Sequence, residues 1–179
     1  MRKAILTFSN VKNFLAEVYR DTGQVEKALQ IFEHVLAVQR RMPPSSHLDI
    51  LELQNNLAQA YICNNEMDKA IALLEDVIST QKRKISPEHP SLLISMNNLA
   101  EAYSQNDRPD EVLTRRLQVW RVASKVYPEE YPLRLTWTHN LGITYAQLGQ
   151  YDTALSFLEG TVQQMERVLH QDYPNLLSA

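Results

Sequence analysis

Four polar residues recur at intervals of 42 residues in the sequence: Asn13, Asn55, Asn97 and His139. An asparagine amide both donates and accepts hydrogen bonds, so a row of such amides can pair with the backbone of an extended peptide. The same amides can instead bond to neighbouring helices and hold a repeated fold together. The sequence leaves both interpretations open.

Further polar residues accompany these amides at the same period. Those predicted to share their surface are Glu17, Glu52, Gln59 and Glu101, with Asn10, Ile94 and Thr136 around them. Three of the predicted residues are carboxylates, and Arg20 is the one clear cation nearby. The acidic surroundings therefore favour a neutral or basic peptide over an acidic one.

Residues suited to metal or covalent chemistry do not group in the sequence. The histidines are His34, His47, His89, His139 and His170, and no His-x-x-x-His or Glu-x-x-His pair gives two ligands one helical face. His47 and His89 hold equivalent linker positions, which predicts a repeated turn contact. Cys63 has no histidine near it in sequence, so a nucleophilic role is not indicated. We expect no enzyme activity, no metal and no cofactor.

The bulk composition is that of a soluble globular chain. Of 179 residues, 44% are apolar and 22% are charged, and the formal net charge is −3. That charge gives no support to nucleic-acid binding, and the short basic run at 82–84 is interpreted as a solvated helix end. No apolar run is long enough for a membrane helix, and the single cysteine suits a reducing compartment. We expect a cytoplasmic protein that does not bind membranes.

A repeated phrase explains the regular spacing of the amides. "NNLAQAY" at 55–61 returns as "NNLAEAY" at 97–103. Three columns of residues keep this period through four copies: Leu15, Leu57, Leu99 and Leu141; the small Ala16, Ala58, Ala100 and Gly142; and Tyr19, Tyr61, Tyr103 and Tyr145. A fixed period of this length is the signature of a solenoid of repeated helical or strand units.

Each copy is predicted to contain two helices, which we name helix A and helix B. Apolar residues at three- and four-residue steps give each helix one buried face, and no stretch alternates as a strand would. Helix A is predicted to end at residues that tolerate a left-handed backbone: Gly23, Asn65, Asp107 and Gly149. Helix B is predicted to open with a carboxylate: Glu26, Asp68, Asp110 and Asp152.

The small residue of each helix A is predicted to lie where helix A crosses helix B. Ala100 should therefore be buried at a close backbone approach. The third helix B departs from its siblings, because Arg115 and Arg116 stand where they have apolar residues. We expect Arg116 either to find a carboxylate partner or to lay its stem along the core with its head in water.

The order Leu15, Ala16, Tyr19, Ala28 and Phe32 is the tetratricopeptide pattern. HEAT or armadillo repeats are the alternative with a similar period. The period, "HPSLLISMNNLAEAY" and "QKRKISPEHP" resemble the kinesin light chain type of tetratricopeptide repeat, which also occurs in fungal nucleotide-binding receptor-like proteins. The resemblance implies that the inward face of helix A lines a concave groove, with Asn97 and Glu101 pointing into it.

The sequence thus predicts an all-α, right-handed tetratricopeptide solenoid of four helix-turn-helix repeats and about eight helices. The repeats are predicted at about 7–48, 49–90, 91–132 and 133–174, with 175–179 beginning an unfinished one. The predicted function is non-catalytic binding of a protein or peptide segment in the groove, with Asn55 and Asn97 open to solvent. The alternative is a structural spacer or self-assembly array that associates through unfinished ends.

Overall fold

The computed structural model describes the backbone of residues 2–41 and 47–172, and the side chains of 7–41 and 50–169. This part of the chain forms eight α-helices and no strand. The helices are α1 (Arg2–Asp21), α2 (Val25–Arg40), α3 (His47–Cys63), α4 (Met67–Lys84), α5 (Pro90–Gln105), α6 (Pro109–Val126), α7 (Pro132–Gln147) and α8 (Tyr151–Asp172). The odd-numbered helices are helix A of each repeat, and the even-numbered ones are helix B.

The chain divides into two compact units, Met1–Ser86 and Pro87–Ala179. In the first unit α1 packs on α2, α2 on α3 and α3 on α4, and α1 also contacts α3. In the second unit α5 packs on α6, α6 on α7 and α7 on α8. Each unit therefore contains two helical hairpins that share one core.

The predicted ends of helix A are confirmed at all four positions. Gly23 and Gly149 have φ of 78° and 74°, and Asn65 and Asp107 have φ of 59° and 52°. A left-handed residue after the last turn lets the following amides bond back to the final carbonyls of the helix. The Gln24 amide, for example, donates to the Tyr19 carbonyl at 2.8 Å. Each hairpin turn is thereby set by one residue.

The beginnings of the helices also follow the predicted chemistry. The first turns of the four B helices contain Glu26, Asp68, Asp110 and Asp152, where a carboxylate favours the exposed amides and the dipole. At α5 the predicted turn contact of His89 is present, since its Nδ1 accepts from the Ser91 amide at 3.1 Å. The side chain of His47 lies outside the described residues, as do residues 175–179.

The small residues of helix A lie deep in the two cores. Ala16, Ala58 and Ala100 have no exposed surface, so the predicted burial of Ala100 is confirmed. At the equivalent Gly142, a Cβ would stand 2.9 Å from two side-chain atoms of Leu158. Such distances are shorter than van der Waals contact, so even a methyl group at this position would require the Leu158 side chain to shift.

Candidate functional site

In the first unit, the polar face of α1 and α3 forms a cleft of about 460 Å³. Its lining residues are Ser9, Asn10, Asn13, Phe14, Glu17, Gln39, Glu52 and Leu53. Asn10, Asn13 and Glu17 follow one another at three- and four-residue steps, which places them on one face of α1. The structure thus brings together four polar residues that the sequence assigned to one surface, namely these three and Glu52.

Glu17 is the centre of the hydrogen bonding in this cleft. Its Oε1 accepts from the amide of Asn13 at 3.0 Å and from the amide of Asn56, on α3, at 2.6 Å. The carboxylate therefore joins helix A of the first repeat to helix A of the second. Glu52 is exposed, and neither a hydrogen bond nor an ion pair holds it within the described part of the chain.

Asn55 does not take the position that the sequence predicted. Its side chain is only 7% exposed, so the expectation that it is open to solvent is wrong. The neighbouring Asn56 is half-buried and makes the contact with Glu17 instead, while Gln59 is half-buried one turn further along α3. Because "NN" offers two adjacent amides about 100° apart around the helix, the orientation of α3 decides which of them reaches Glu17.

In the second unit, Asn97 is half-buried and takes part in a contact between two A helices. Its Oδ1 accepts from the amide of Asn140, on α7, at 3.1 Å. At this position an asparagine bonds to a neighbouring helix and holds the repeated fold together, which is one of the two interpretations that the sequence left open. Ile94, on α5, is half-buried, and Thr136 and His139, both on α7, are exposed.

Glu101 is engaged by the unusual arginine of helix B. Arg116 is 5% exposed, and its Nη2 forms an ion pair with Glu101 Oε2 at 2.9 Å. Its Nη1 donates to the Asn140 carbonyl at 2.9 Å and to Thr144 Oγ1 at 2.8 Å. The predicted carboxylate partner of Arg116 is thereby confirmed, and Glu101 retains 41% of its side-chain exposure.

Burial sets the electrostatics of this arginine. Desolvation lowers the pKa of Arg116 from its ordinary value, and the negative charge and hydrogen bond of Glu101 oppose that change. An arginine keeps its charge through such a shift, because its ordinary pKa is so high. At neutral pH the ion pair therefore joins α5 to α6, and the two hydrogen bonds of Arg116 Nη1 join α6 to α7.

The remaining candidate residues are dispersed. His34 and His139 are exposed, His89 caps α5, and the side chains of His47 and His170 lie outside the described residues. Cys63 is a free, exposed cysteine. Within the described residues no group of three metal-binding side chains was found. Nor does any described helix have the length and apolar character needed to cross a membrane.

Sequence reasoning missed Ser9, Gln39 and Asn56 at the cleft of the first unit, and Asn140 at the contact between α5 and α7. A signal for three of them was present, because Asn56 and Asn140 are separated by two periods of 42 residues and Gln39 is followed one period later by Gln81. Ser9 offered no such signal, because the equivalent residue one period later is Leu51. Gln39 lies near the end of a B helix, and only the packing of α2 against its neighbours brings it to the cleft.

A sequence model of the tetratricopeptide repeat matches residues 7–83, 49–115 and 95–167. The chain belongs to the tetratricopeptide repeat family. A crystal structure from Podosopora anserina shows kinesin light chain TPR-like repeats that are nearly identical to one another. It matches this chain with a TM-score of 0.78 and 34% sequence identity. The match covers 92% of this chain and 78% of that one. The resemblance to kinesin light chain repeats seen in the sequence is thereby confirmed.

More distant solved structures share the tetratricopeptide fold alone. BtubC (BKLC) from P. vanneervenii has a TM-score of 0.79 at 17% identity, covering 91% of this chain and 64% of that one. The apo form of RapI has a TM-score of 0.71 at 12% identity, covering 89% of this chain and 43% of that one. No match was found among curated proteins. The family is one of protein-interaction modules, and the all-α solenoid predicted from the sequence is confirmed.

Proposed function

We propose that this chain is a non-catalytic binding module that holds an extended peptide segment along the polar face of its A helices. The observation that carries the proposal is the cleft of the first unit, which is lined by Asn10, Asn13, Glu17 and Glu52. An extended segment there meets amides and carboxylates at one-turn intervals. Family membership supports a binding role, since tetratricopeptide arrays serve as interaction scaffolds.

The two units contribute unequally to this proposal. Asn97 and Glu101 already bond to Asn140 and Arg116, so they position the second unit more than they offer free groups. Thr136 and His139 remain exposed in the second unit. We expect affinity on the order of micromolar, because an extended segment must lose its conformational freedom on binding.

A display selection tests the proposal without knowledge of the natural partner. A library of random dodecapeptides is selected on the purified chain, and the affinities of enriched peptides are measured by fluorescence anisotropy. The variant Asn10→Ala/Glu52→Ala removes two exposed polar groups of the cleft, and we expect it to weaken binding about tenfold.

The control is Gln30→Ala/His34→Ala, which likewise truncates two exposed polar residues, both of them on α2. We expect this control to bind as the parent chain does. If the cleft variant keeps full affinity while the control loses it, the peptide site lies on helix B and the proposal is wrong.

We place the module in the cytoplasm. The observation behind this part of the proposal is Cys63, a free thiol on the surface at the end of α3. An exposed thiol persists most readily in a reducing compartment. Cell fractionation with a tagged full-length chain tests it, and recovery from a secreted or lumenal fraction would contradict it.

A second candidate function is end-to-end self-association, as in a spacer or assembly array. The first and last helices both expose apolar side chains: Val11, Leu15 and Val18 on α1, and Leu155, Val162 and Leu169 on α8. Sedimentation of the ligand-free chain over a hundredfold concentration range tests this candidate. Association that is abolished by Val162→Lys, but not by Gln163→Lys on the same helix, would favour it, and a monomer throughout would reject it.

A further inference from the structure

Three oxygen atoms of the first-unit cleft have no hydrogen-bond partner among the side chains and backbone that the structure describes. They are Ser9 Oγ, Asn13 Oδ1 and Gln39 Oε1, and all three residues line the cleft. Ser9 is only 1% exposed, so its hydroxyl receives almost no compensation from water. Buried polar atoms are nearly always satisfied in folded proteins, and leaving one unpaired is unfavourable. Three unpaired oxygens at one place indicate a missing donor.

The chemistry of the cleft specifies that donor. The oxygens of Asn13 and Gln39 are amide carbonyls, which only accept hydrogen bonds, and Glu17 and Glu52 add two carboxylates that also only accept. None of the eight lining residues is a cation. A group that carries several donors, no acceptor and a positive charge complements this arrangement, whereas a carboxylate would be repelled.

The rim supplies an apolar surface beside these acceptors. Phe14 lines the cleft and is 68% exposed, so most of its ring faces solvent. The methylene stem of a long cationic side chain can lie along such a ring while its head reaches the polar floor. A guanidinium or ammonium over the ring gains a further attraction from the aromatic face.

We propose that this cleft is a subsite for one lysine or arginine side chain of the bound segment. The inference rests on the proposed peptide-binding function and assigns its first specificity determinant. Gln39 and Ser9 are binding residues in it, although neither lies on the exposed face of an A helix. In the bound state the unpaired oxygens of Asn13 and Gln39 accept from the incoming donor, while the Asn13 amide keeps its hydrogen bond to Glu17.

Two substitutions separate binding from folding. Gln39→Met removes one unpaired acceptor and keeps a long side chain, so we expect the melting temperature to hold or rise while peptide affinity falls. Glu52→Gln removes a free charge, and we expect affinity to fall about tenfold at low salt. The control Glu159→Gln makes the same change of charge on an exposed residue of α8 and should leave affinity unchanged.

The same display selection reads out specificity directly. We expect enriched dodecapeptides to share a lysine or arginine at one position, and replacement of that residue by norleucine to lower affinity as much as Glu52→Gln does. Peptides that bind the cleft without a basic residue, or that keep their affinity in both Gln39→Met and Glu52→Gln, would overturn the subsite while leaving the peptide-binding function intact.

A small-molecule probe tests the subsite when no peptide is enriched, which is the outcome that overturns the proposed function. N-acetyl-arginine methylamide is titrated into the ¹⁵N-labelled chain, with N-acetyl-glutamate methylamide as the control. Saturable shifts at the amides of Ser9, Asn13 and Gln39 with the arginine probe alone support the subsite. Equal shifts with both probes, or none with either, would overturn it.

Discussion

The two units use equivalent positions of the repeat in different ways. In the first unit Phe32 of helix B is fully buried, and Ala60 of the next helix A is buried as well. Two periods later the same positions hold Arg116 and Thr144, which bond to each other at 2.8 Å. One apolar pair has thus become a polar pair at the same place in the repeat.

This exchange changes the surroundings of two equivalent carboxylates, Glu17 and Glu101. Glu101 turns to Arg116 in the second unit, whereas its equivalent Glu17 accepts from two asparagine amides and remains at the edge of an open cleft. Both carboxylates are therefore used inside the fold, Glu17 by neutral amides and Glu101 by a cation on helix B. Glu17 keeps a negative charge that neither of its two amide partners neutralises, which favours the first unit as the place of the proposed binding site.

The largest expected difference concerns truncation of the two equivalent helix B side chains. Phe32→Ala should reduce the free energy of unfolding by about 3–5 kcal/mol, because it empties a fully buried aromatic site. Arg116→Ala should reduce it by about 1–3 kcal/mol, because the exposed side of Glu101 lets water replace part of the lost contact.

Urea unfolding followed by circular dichroism measures both losses. Trp120 and Trp137 both belong to the second unit, so their fluorescence follows that unit separately. A loss for Arg116→Ala as large as that for Phe32→Ala would mean that the polar network stabilises its unit as strongly as the apolar pair does. The two units would then not differ in how much their helix B side chain contributes to stability.

The close helix crossings should behave alike in both units. Ala16→Leu and Ala100→Leu each insert a branched side chain where no surface is exposed, and each should cost about 1–3 kcal/mol of stability. Thermal unfolding of the two variants, with Ala72→Leu on an exposed face of α4 as the control, measures this. If Ala100→Leu alone is tolerated, the second unit is packed more loosely at the polar network.

The repeat pattern predicted the backbone well because local chemistry determines it. Gly23, Asn65, Asp107 and Gly149 adopt the left-handed conformation that their types tolerate, and the small residue at each helix A is required by the crossing itself. These features depend on one residue and its adjacent turn, so a single sequence contains them.

The positions of the polar side chains were predicted less accurately than the backbone, because each position depends on which neighbouring group the side chain bonds to. Asn55 is buried and Asn56 makes the bond, a difference of about 100° around one helix. Glu101 was predicted to point into the groove, and in the structure it forms an ion pair with Arg116 on the neighbouring helix B. Such choices are made across helices, where periodicity within one helix carries no information.

A transplant between the units sharpens the comparison. Arg116→Phe/Thr144→Ala recreates the Phe32–Ala60 pair in the second unit, and it should be neutral or stabilising because a buried ion pair is replaced by packed apolar groups. Arg116→Phe alone should be less stable than the double variant by about 1 kcal/mol, since Thr144 is larger than the alanine that the ring requires. Urea denaturation of the parent chain, the double variant and the two single variants Arg116→Phe and Thr144→Ala gives the coupling energy. Strict additivity would show that the two positions are independent.

The smallest expected effect distinguishes the units by pH. In the first unit the Tyr61 hydroxyl donates to Glu33 Oε1 at 2.8 Å, whereas in the second unit the equivalent Tyr145 stacks on Phe157 and Leu117 stands in place of Glu33. Burial, the hydrogen bond to Glu33 and the negative charges of Glu33 and Glu66 raise the pKa of Tyr61 from 10.0 to about 12. The Lys69 ammonium, 5.3 Å from the ring, is the cation that faces it.

The folded state therefore favours the neutral phenol more than the unfolded state does. This stabilisation is fully present below pH 10 and is lost as the pH rises through about 12. We expect the free energy of unfolding to fall over that interval, and Tyr61→Phe to flatten part of the fall. Some pH dependence of the unfolding free energy should remain in Tyr61→Phe, because the pKa of Tyr127 in the second unit is also raised. Burial is the main cause there, followed by the nearby Tyr131 and Glu88.

Glu33→Gln should give a pH dependence of the unfolding free energy between those of the parent chain and Tyr61→Phe, since it removes the charge of Glu33 and leaves the burial of the Tyr61 ring. Identical slopes in the parent chain and in Tyr61→Phe would show that the Tyr61–Glu33 contact does not distinguish the first unit energetically.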